Sequence, residues 1–235
     1  MLPRRDTQTG RAQGPPRQQP VEGVFLLDSL PILSLMTFTP LVGALVLMFW
    51  FRAPDNAVRW IALLTSLITL GFSLVMLAQF DLGASGMQLT ETVNWLPEVG
   101  IAYRLGVDGI SVPLIVLTTL LVTISIVTSW EAIQHRVREY MIVMLLLATG
   151  MIGVFVSLDL FLFYVFWEVV LIPMALMIGI WGSANRIYAA VKFFLYTLAG
   201  SLLMLVAIVA TYQSYFDQTG VRTLDVLQLS QGEYG

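Results

Sequence analysis

Cysteine is absent from the 235 residues, and histidine occurs once, as His135. Without thiols the chain has no disulfide framework, thiolate metal site or iron–sulfur cluster of its own. A lone histidine argues against a histidine-held haem or zinc. Charge is scarce too: 11% of residues are Asp, Glu, Lys or Arg, where soluble domains carry about 25%. The net charge of −3 argues against nucleic acid as a partner. Hydrophobic residues fill the space, at 57% of the chain. This is the composition of a membrane protein, and no stretch reads as a soluble catalytic domain.

Residues 1–23, "MLPRRDTQTGRAQGPPRQQPVEG", are rich in Arg, Gln, Pro and Gly. They hold too little apolar surface to pack and read as a disordered tail. They also lack the layout of a cleavable signal. From Val24 onward, apolar runs alternate with short polar links. Crossing about 30 Å of hydrocarbon takes about 20 residues, and six runs qualify: 29–51, 60–80, 111–129, 140–157, 160–181 and 189–212. The expected fold is an all-α membrane protein with about six transmembrane helices, the lipid bilayer being its first partner.

The links carry unequal charge. Those after the first, third and fifth spans hold Arg52, Arg59, Arg136, Arg138 and Arg186, with Lys192 just inside the sixth span. The other side holds Arg104 and Arg222 against Asp81, Glu91, Glu98, Asp108, Asp217, Asp225 and Glu233. The bias of Lys and Arg toward cytoplasmic links places the odd-numbered links in the cytoplasm and the N-terminus outside. Arg4, Arg5, Arg11 and Arg17 of the tail pull the other way.

One acid interrupts the fifth span, "FVSLDLFLFYVFWEVVLIPM". On a helix starting near Leu160, Glu168 lies about 12 Å in. An acid at that depth costs at least about 2.5–3.5 kcal/mol unless protonated, hydrated or paired, and intramembrane acids usually mark proton routes. Pro173 cannot donate to the carbonyl of Val169, which leaves a free oxygen near the acid and suits a small hydrated cavity. The alternative is a structural hydrogen bond to a neighbouring helix. Lys192, near the start of the sixth span, could snorkel to the interface. Its depth differs from that of Glu168 by about 13 Å at 1.5 Å per residue, so direct contact is not expected, although a water chain could couple the two. Thr197 and Ser201, four apart in "LYTLAGS", suit close helix packing or a water-lined face. Asp108, with Ser111 and Pro113, reads as a helix cap, as does Asp159 before the fifth span. His135 reads as solvated or as a contact to a neighbouring subunit.

Three strings go beyond pattern: "YRLGVDGISVPLIVLTTLL", "MIGVFVSLDLFLFYVFWEVVLIPMALMIGIWG" and "RIYAAVKFFLYTLAGSLLMLVAI". They resemble the antiporter-like membrane subunit M, or chain 4, of proton-translocating NADH:quinone oxidoreductase, respiratory complex I. The resemblance runs from about Leu33 to Tyr212. It implies lead-in helices within 24–139, the start of the first proton-translocating repeat at 140–212, and a polar loop at 213–235. Glu168 then falls on the family's essential glutamate and Lys192 on a family lysine, both in proton translocation. The family's seventh-helix lysine and its second repeat have no counterpart here, so either the chain is a fragment, with a truncation in the polar loop, or the rest is a separate chain.

The resemblance further implies a multi-pass subunit of the bacterial inner membrane, partnered by other membrane-arm subunits. No cofactor or metal would be bound by this chain; NADH and quinone would be used by the whole complex. The same shape serves multisubunit Na+/H+ antiporters and membrane-bound hydrogenases, which are the alternatives. A purely structural scaffold, with Glu168 as helix glue, is a third.

Overall fold

Backbone can enter hydrocarbon only with its hydrogen bonds closed inside the segment, and all six apolar runs achieve this as helices. The computed structural model describes residues 30–234; the tail at 1–23 lies outside them. The helices are α1 (Ile32–Phe49), α2 (Asp55–Gln79), α3 (Ser111–Ala132), α4 (Val137–Val156), α5 (Leu160–Trp181) and α6 (Arg186–Thr219). Each is long and apolar enough to cross a membrane, so the chain is a multi-pass helical membrane protein.

Helix edges follow local chemistry more closely than hydropathy does. α2 begins at Asp55, five residues before the apolar run, because Pro54 is extended and an acid follows it at the positive end of the helix. α6 runs to Thr219, well past Tyr212, and stops only where Gly220 turns left-handed at φ 70°. The segment expected as a polar loop from 213 thus begins as helix and later includes a one-turn helix, α7 (Val226–Leu229).

The link between α2 and α3 holds an element that hydropathy does not indicate. β1 (Gln88–Leu96) and β2 (Ile101–Val107) pair antiparallel around the turn Pro97–Val99. Glu91 on β1 caps α1: its carboxylate accepts from the amides of Leu33 at 2.8 Å and Ser34 at 3.1 Å. The Ser34 hydroxyl also bonds Glu91 and lies 2.7 Å from the Tyr103 hydroxyl of β2. α1, which has no capping side chain of its own, is therefore started by the hairpin.

α4 is the central helix. It touches α1, α2, α3 and α5, and 61% of its apolar window is buried, against 6% for α6. Small residues let the backbones approach. A Cβ on Gly153 would lie 2.2 Å from the Phe166 ring, so that ring fills the space the glycine leaves. α2 is polar side in: Arg59, Ala62, Ser66, Thr69 and Ser73 are buried while Trp60, Leu64, Leu67, Ile68, Leu74 and Leu77 face outward. Lipid tails are as apolar as leucine, so burying leucine gains little there.

The two ends of the bundle differ. At one, Arg138 donates to the Phe51 carbonyl at 2.8 Å, Arg59 to the Ile133 carbonyl at 3.0 Å, and the Trp181 indole to the His135 carbonyl at 3.2 Å. These contacts gather the links after α1, α3 and α5, with their arginines, at one end. His135 is exposed there. The hairpin, the α4–α5 link and the segment after α6 gather at the other. Replacing Gly153 with Ala should destabilise the α4–α5 contact by about 1–3 kcal/mol through overpacking; an unchanged unfolding midpoint for that variant in detergent or nanodiscs would contradict this packing.

The anchored end of α5 and the Glu168 site

α5 is held in place before it enters the apolar layer. Asp159, fully buried, caps it: Oδ1 accepts from the amides of Phe161 at 2.9 Å and Leu162 at 3.2 Å, while Oδ2 accepts from the Ala102 amide of β2 at 3.1 Å. Burial raises the Asp159 carboxyl above its ordinary 3.8, although those three amides and Arg104 pull it back. The cap expected at Asp159 therefore also ties α5 to the hairpin. The backbone continues the tie. Leu158 donates to the Arg104 carbonyl at 2.9 Å, Leu160 to the Leu224 carbonyl at 2.9 Å, and Val226 to the Leu158 carbonyl at 2.9 Å. Gly100 sits at φ 75°, and a Cβ there would lie 2.1 Å from the Arg222 carbonyl oxygen. Arg104 and Asp225 form an ion pair at 2.5 Å. The hairpin, the start of α5 and the chain after α6 are one clasp.

Asp108 performs the capping expected of it. Its Oδ1 accepts from the amides of Ile110 at 3.1 Å and Ser111 at 2.7 Å. The Ser111 amide bond is the largest influence holding the Asp108 carboxyl below its ordinary 3.8.

Two and a quarter turns into α5, about 12 Å along its axis, stands Glu168. Pro173 lies inside the same helix and offers no N–H to the Val169 carbonyl. Glu168 Oε1 is buried without a hydrogen-bond partner. One turn earlier on the same face, the Tyr164 hydroxyl is within polar reach of both Glu168 and Ser201 of α6. Ser201 is buried and donates to the Leu198 carbonyl at 3.0 Å. Thr197, its partner in the small-residue spacing, lines instead a groove of about 380 Å³ with Thr118, Phe155, Trp167, Val170 and Phe193. The two hydroxyls serve different surroundings. A carboxyl with one unsatisfied buried oxygen, a phenol and a hydroxyl can accept, hold and release a proton.

Lys192 is not brought to this group. It is exposed on α6, with Nζ 5.7 Å from the Tyr188 ring centroid. Measured from Trp181 and Arg186, the ends of the α5–α6 turn, it lies about 10 Å nearer that end than Glu168. The offset is smaller than hydropathy implies because α6 starts three residues earlier than 189. Among the described residues no group of three His, Cys, Asp or Glu could hold a metal. Hydropathy does not single out Tyr164, although its i,i+4 spacing to an acid is a usable signal. Nor does it single out Arg59: a link residue by sequence, it is only 7% exposed.

An intramembrane carboxyl on a proline-bearing helix, anchored at one end and set among the six candidate membrane spans of the described residues, defines a multi-pass helical membrane protein with a buried acid. Residues 157–232 match the family described as NADH:quinone oxidoreductase/Mrp antiporter, TM. NADH-quinone oxidoreductase subunit M of Rhodobacter capsulatus is 51% identical over 77% of this chain and 36% of that protein. NADH-ubiquinone oxidoreductase chain 4 of Chondrus crispus is 45% identical over 83% of this chain and 39% of that protein. In fold, a chain of Thermus thermophilus respiratory complex I with bound NADH superposes with a TM-score of 0.70 at 24% identity, covering 88% of this chain and 40% of that one. The chain belongs to this family of antiporter-like membrane subunits, and it spans about two fifths of the length of the relatives it matches.

Asp108→Ala should cost about 1 kcal/mol at neutral pH, the usual worth of a capping side chain. The cap is stabilising above 3.8, where the carboxylate is ionised in both folded and unfolded chains, and is lost as pH falls through its lowered folded value. Urea or thermal unfolding of both proteins across pH should show their difference narrowing on acidification; a constant gap would contradict the cap.

Proposed function

We propose that this chain is the N-terminal membrane-arm portion of subunit M of a proton-translocating NADH:quinone oxidoreductase, and that Glu168 carries a proton in it. The observation that carries this reading is the buried, unpartnered Glu168 Oε1 inside the segment that matches the family. A carboxyl left unsatisfied in a low-dielectric site is costly, and the cost makes sense where the group must change protonation during turnover. In this reading NADH oxidation and quinone reduction belong to the rest of the complex, and no cofactor or metal is assigned to this chain. Its partners are the other membrane-arm subunits and the bilayer.

The proton step needs a movable counter-charge. A cation approaching a carboxylate favours its ionised form and expels its proton; withdrawing the cation lets a proton return. On the adjacent helix α6, Lys192 stands closer in depth to Glu168 than the other cation, Arg186, does. A depth difference of about 10 Å across helices whose axes lie about 9 Å apart separates the charges by about 13 Å, where they interact by about 1.2 kcal/mol at an effective dielectric of about 20, enough to bias protonation several-fold. Through water or a shift of α6, that coupling would change with the charge state farther along the membrane arm. The positive-inside bias supports a cytoplasmic position for the arginine-bearing end of the bundle, and with it an N-terminus on the periplasmic side of a bacterial inner membrane. The family also serves Mrp antiporters; 51% identity to a subunit M favours the oxidoreductase.

The test is Glu168→Gln in the assembled complex. It should abolish NADH-driven proton pumping in vesicles and the coupled activity, with assembly intact; normal pumping would refute the assignment. Lys192→Ala should lower pumping partially. If it behaves as wild type, Lys192 is an interfacial anchor only.

A further inference from the structure

The lead-in helices carry a second buried polar feature, separate from Glu168. Ser66, Thr69 and Ser73 recur along the inner face of α2, and Thr119 of α3 faces them; none is more than 3% exposed. Ser73 Oγ and Thr119 Oγ1 are 2.8 Å apart, a direct hydrogen bond between the two helices. Toward the arginine-bearing end, direct contact gives way to a cavity of about 10 Å³ among Pro40 of α1, Ser66 and Thr69 of α2, Thr119 of α3, and Leu145 and Ile152 of α4.

Size and chemistry suit one molecule of water. A cavity of about 10–15 Å³ is the smallest that admits a water, which then needs two to four polar partners. The three lining hydroxyls direct their protons to carbonyls of their own helices: Ser66 to Leu63 at 2.8 Å, Thr69 to Thr65 at 2.9 Å and Thr119 to Val116 at 3.0 Å. Their oxygens therefore keep lone pairs for a donor. A water has two protons to give and brings no charge into the apolar layer. A cavity of the same size lined only by aliphatic side chains would stay dry.

We propose that this cavity holds a single ordered water that donates to hydroxyl oxygens of α2 and α3, bridging the two helices beside the Ser73–Thr119 bond. It is a fixed site and not part of a conduit. Val122 lines the cavity and belongs to a buried cluster in which Ala44, Leu47, Ala62, Ile126 and Met141 offer it no polar atom.

Cryo-EM of the full-length protein in its native assembly in lipid nanodiscs decides the matter, in a map that resolves other buried waters. Wild type should show a peak within hydrogen-bonding distance of at least two of the Ser66, Thr69 and Thr119 hydroxyl oxygens. An empty cavity in such a map overturns the proposal. In the double variant Ser66→Ala/Thr69→Val the peak should vanish with α2 and α3 unmoved; its persistence would overturn the assignment of the hydroxyls as its holders. If the double variant does not assemble, the presence or absence of the peak in the wild-type map decides by itself.

Discussion

Hydrocarbon offers no hydrogen bonds, so every polar atom carried into it must find a partner within the protein. That single demand organises the molecule. The backbone meets it by forming six helices. Buried hydroxyls such as Thr37, Ser66, Thr69, Thr123 and Thr149 meet it by donating to carbonyls three or four residues back on their own helices. Against that background Glu168 stands out, because one of its oxygens is buried and unsatisfied. Among the described residues only Arg59 Nε shares that state, and the Arg59 guanidinium is otherwise bonded to Ile133 and Gln134.

The same demand explains why the structure outside the apolar layer is more elaborate than a set of loops. The first amides of a helix have no partner in the helix itself. α1 receives the carboxylate of Glu91 from the hairpin, α3 that of Asp108, and α5 that of Asp159. Because Glu91 comes from β1 and Asp159 also binds β2, capping becomes tertiary structure. Through these contacts and the Arg104–Asp225 pair, the helix that carries Glu168 is held at one end. Its other end, beyond Pro173, is tied through the Trp181 indole and the ring of Tyr140, which meets it edge-on at 5.1 Å. A helix fixed at both ends keeps an interior carboxyl at a defined depth.

Much of this is legible along the chain. Six spans, the caps at Asp108 and Asp159, the gathering of arginines at one end and the singular position of Glu168 follow from residue type and spacing. Helix ends are less legible, since Pro54, Asp55 and Gly220 set them and hydropathy does not. The hairpin is hidden because the alternation in "ETVNW" and "AYRLGV" is short and resembles a polar link. The burial of Arg59 is hidden because its partners, Ile133 and Gln134, lie more than 70 positions away.

The sequence by itself determined which six stretches of the described residues are long and apolar enough to cross a membrane, which links carry positive charge and which acid is stranded among apolar residues, because each is a property of composition over one helix length. Only the tertiary structure decided that the hairpin starts α1 and steadies α5, that Tyr164 and Ser201 stand beside Glu168 while Lys192 does not, and that hydroxyls of two helices line one small cavity. Those outcomes depend on which helix faces face each other, and residues far apart in sequence meet only after the chain has packed.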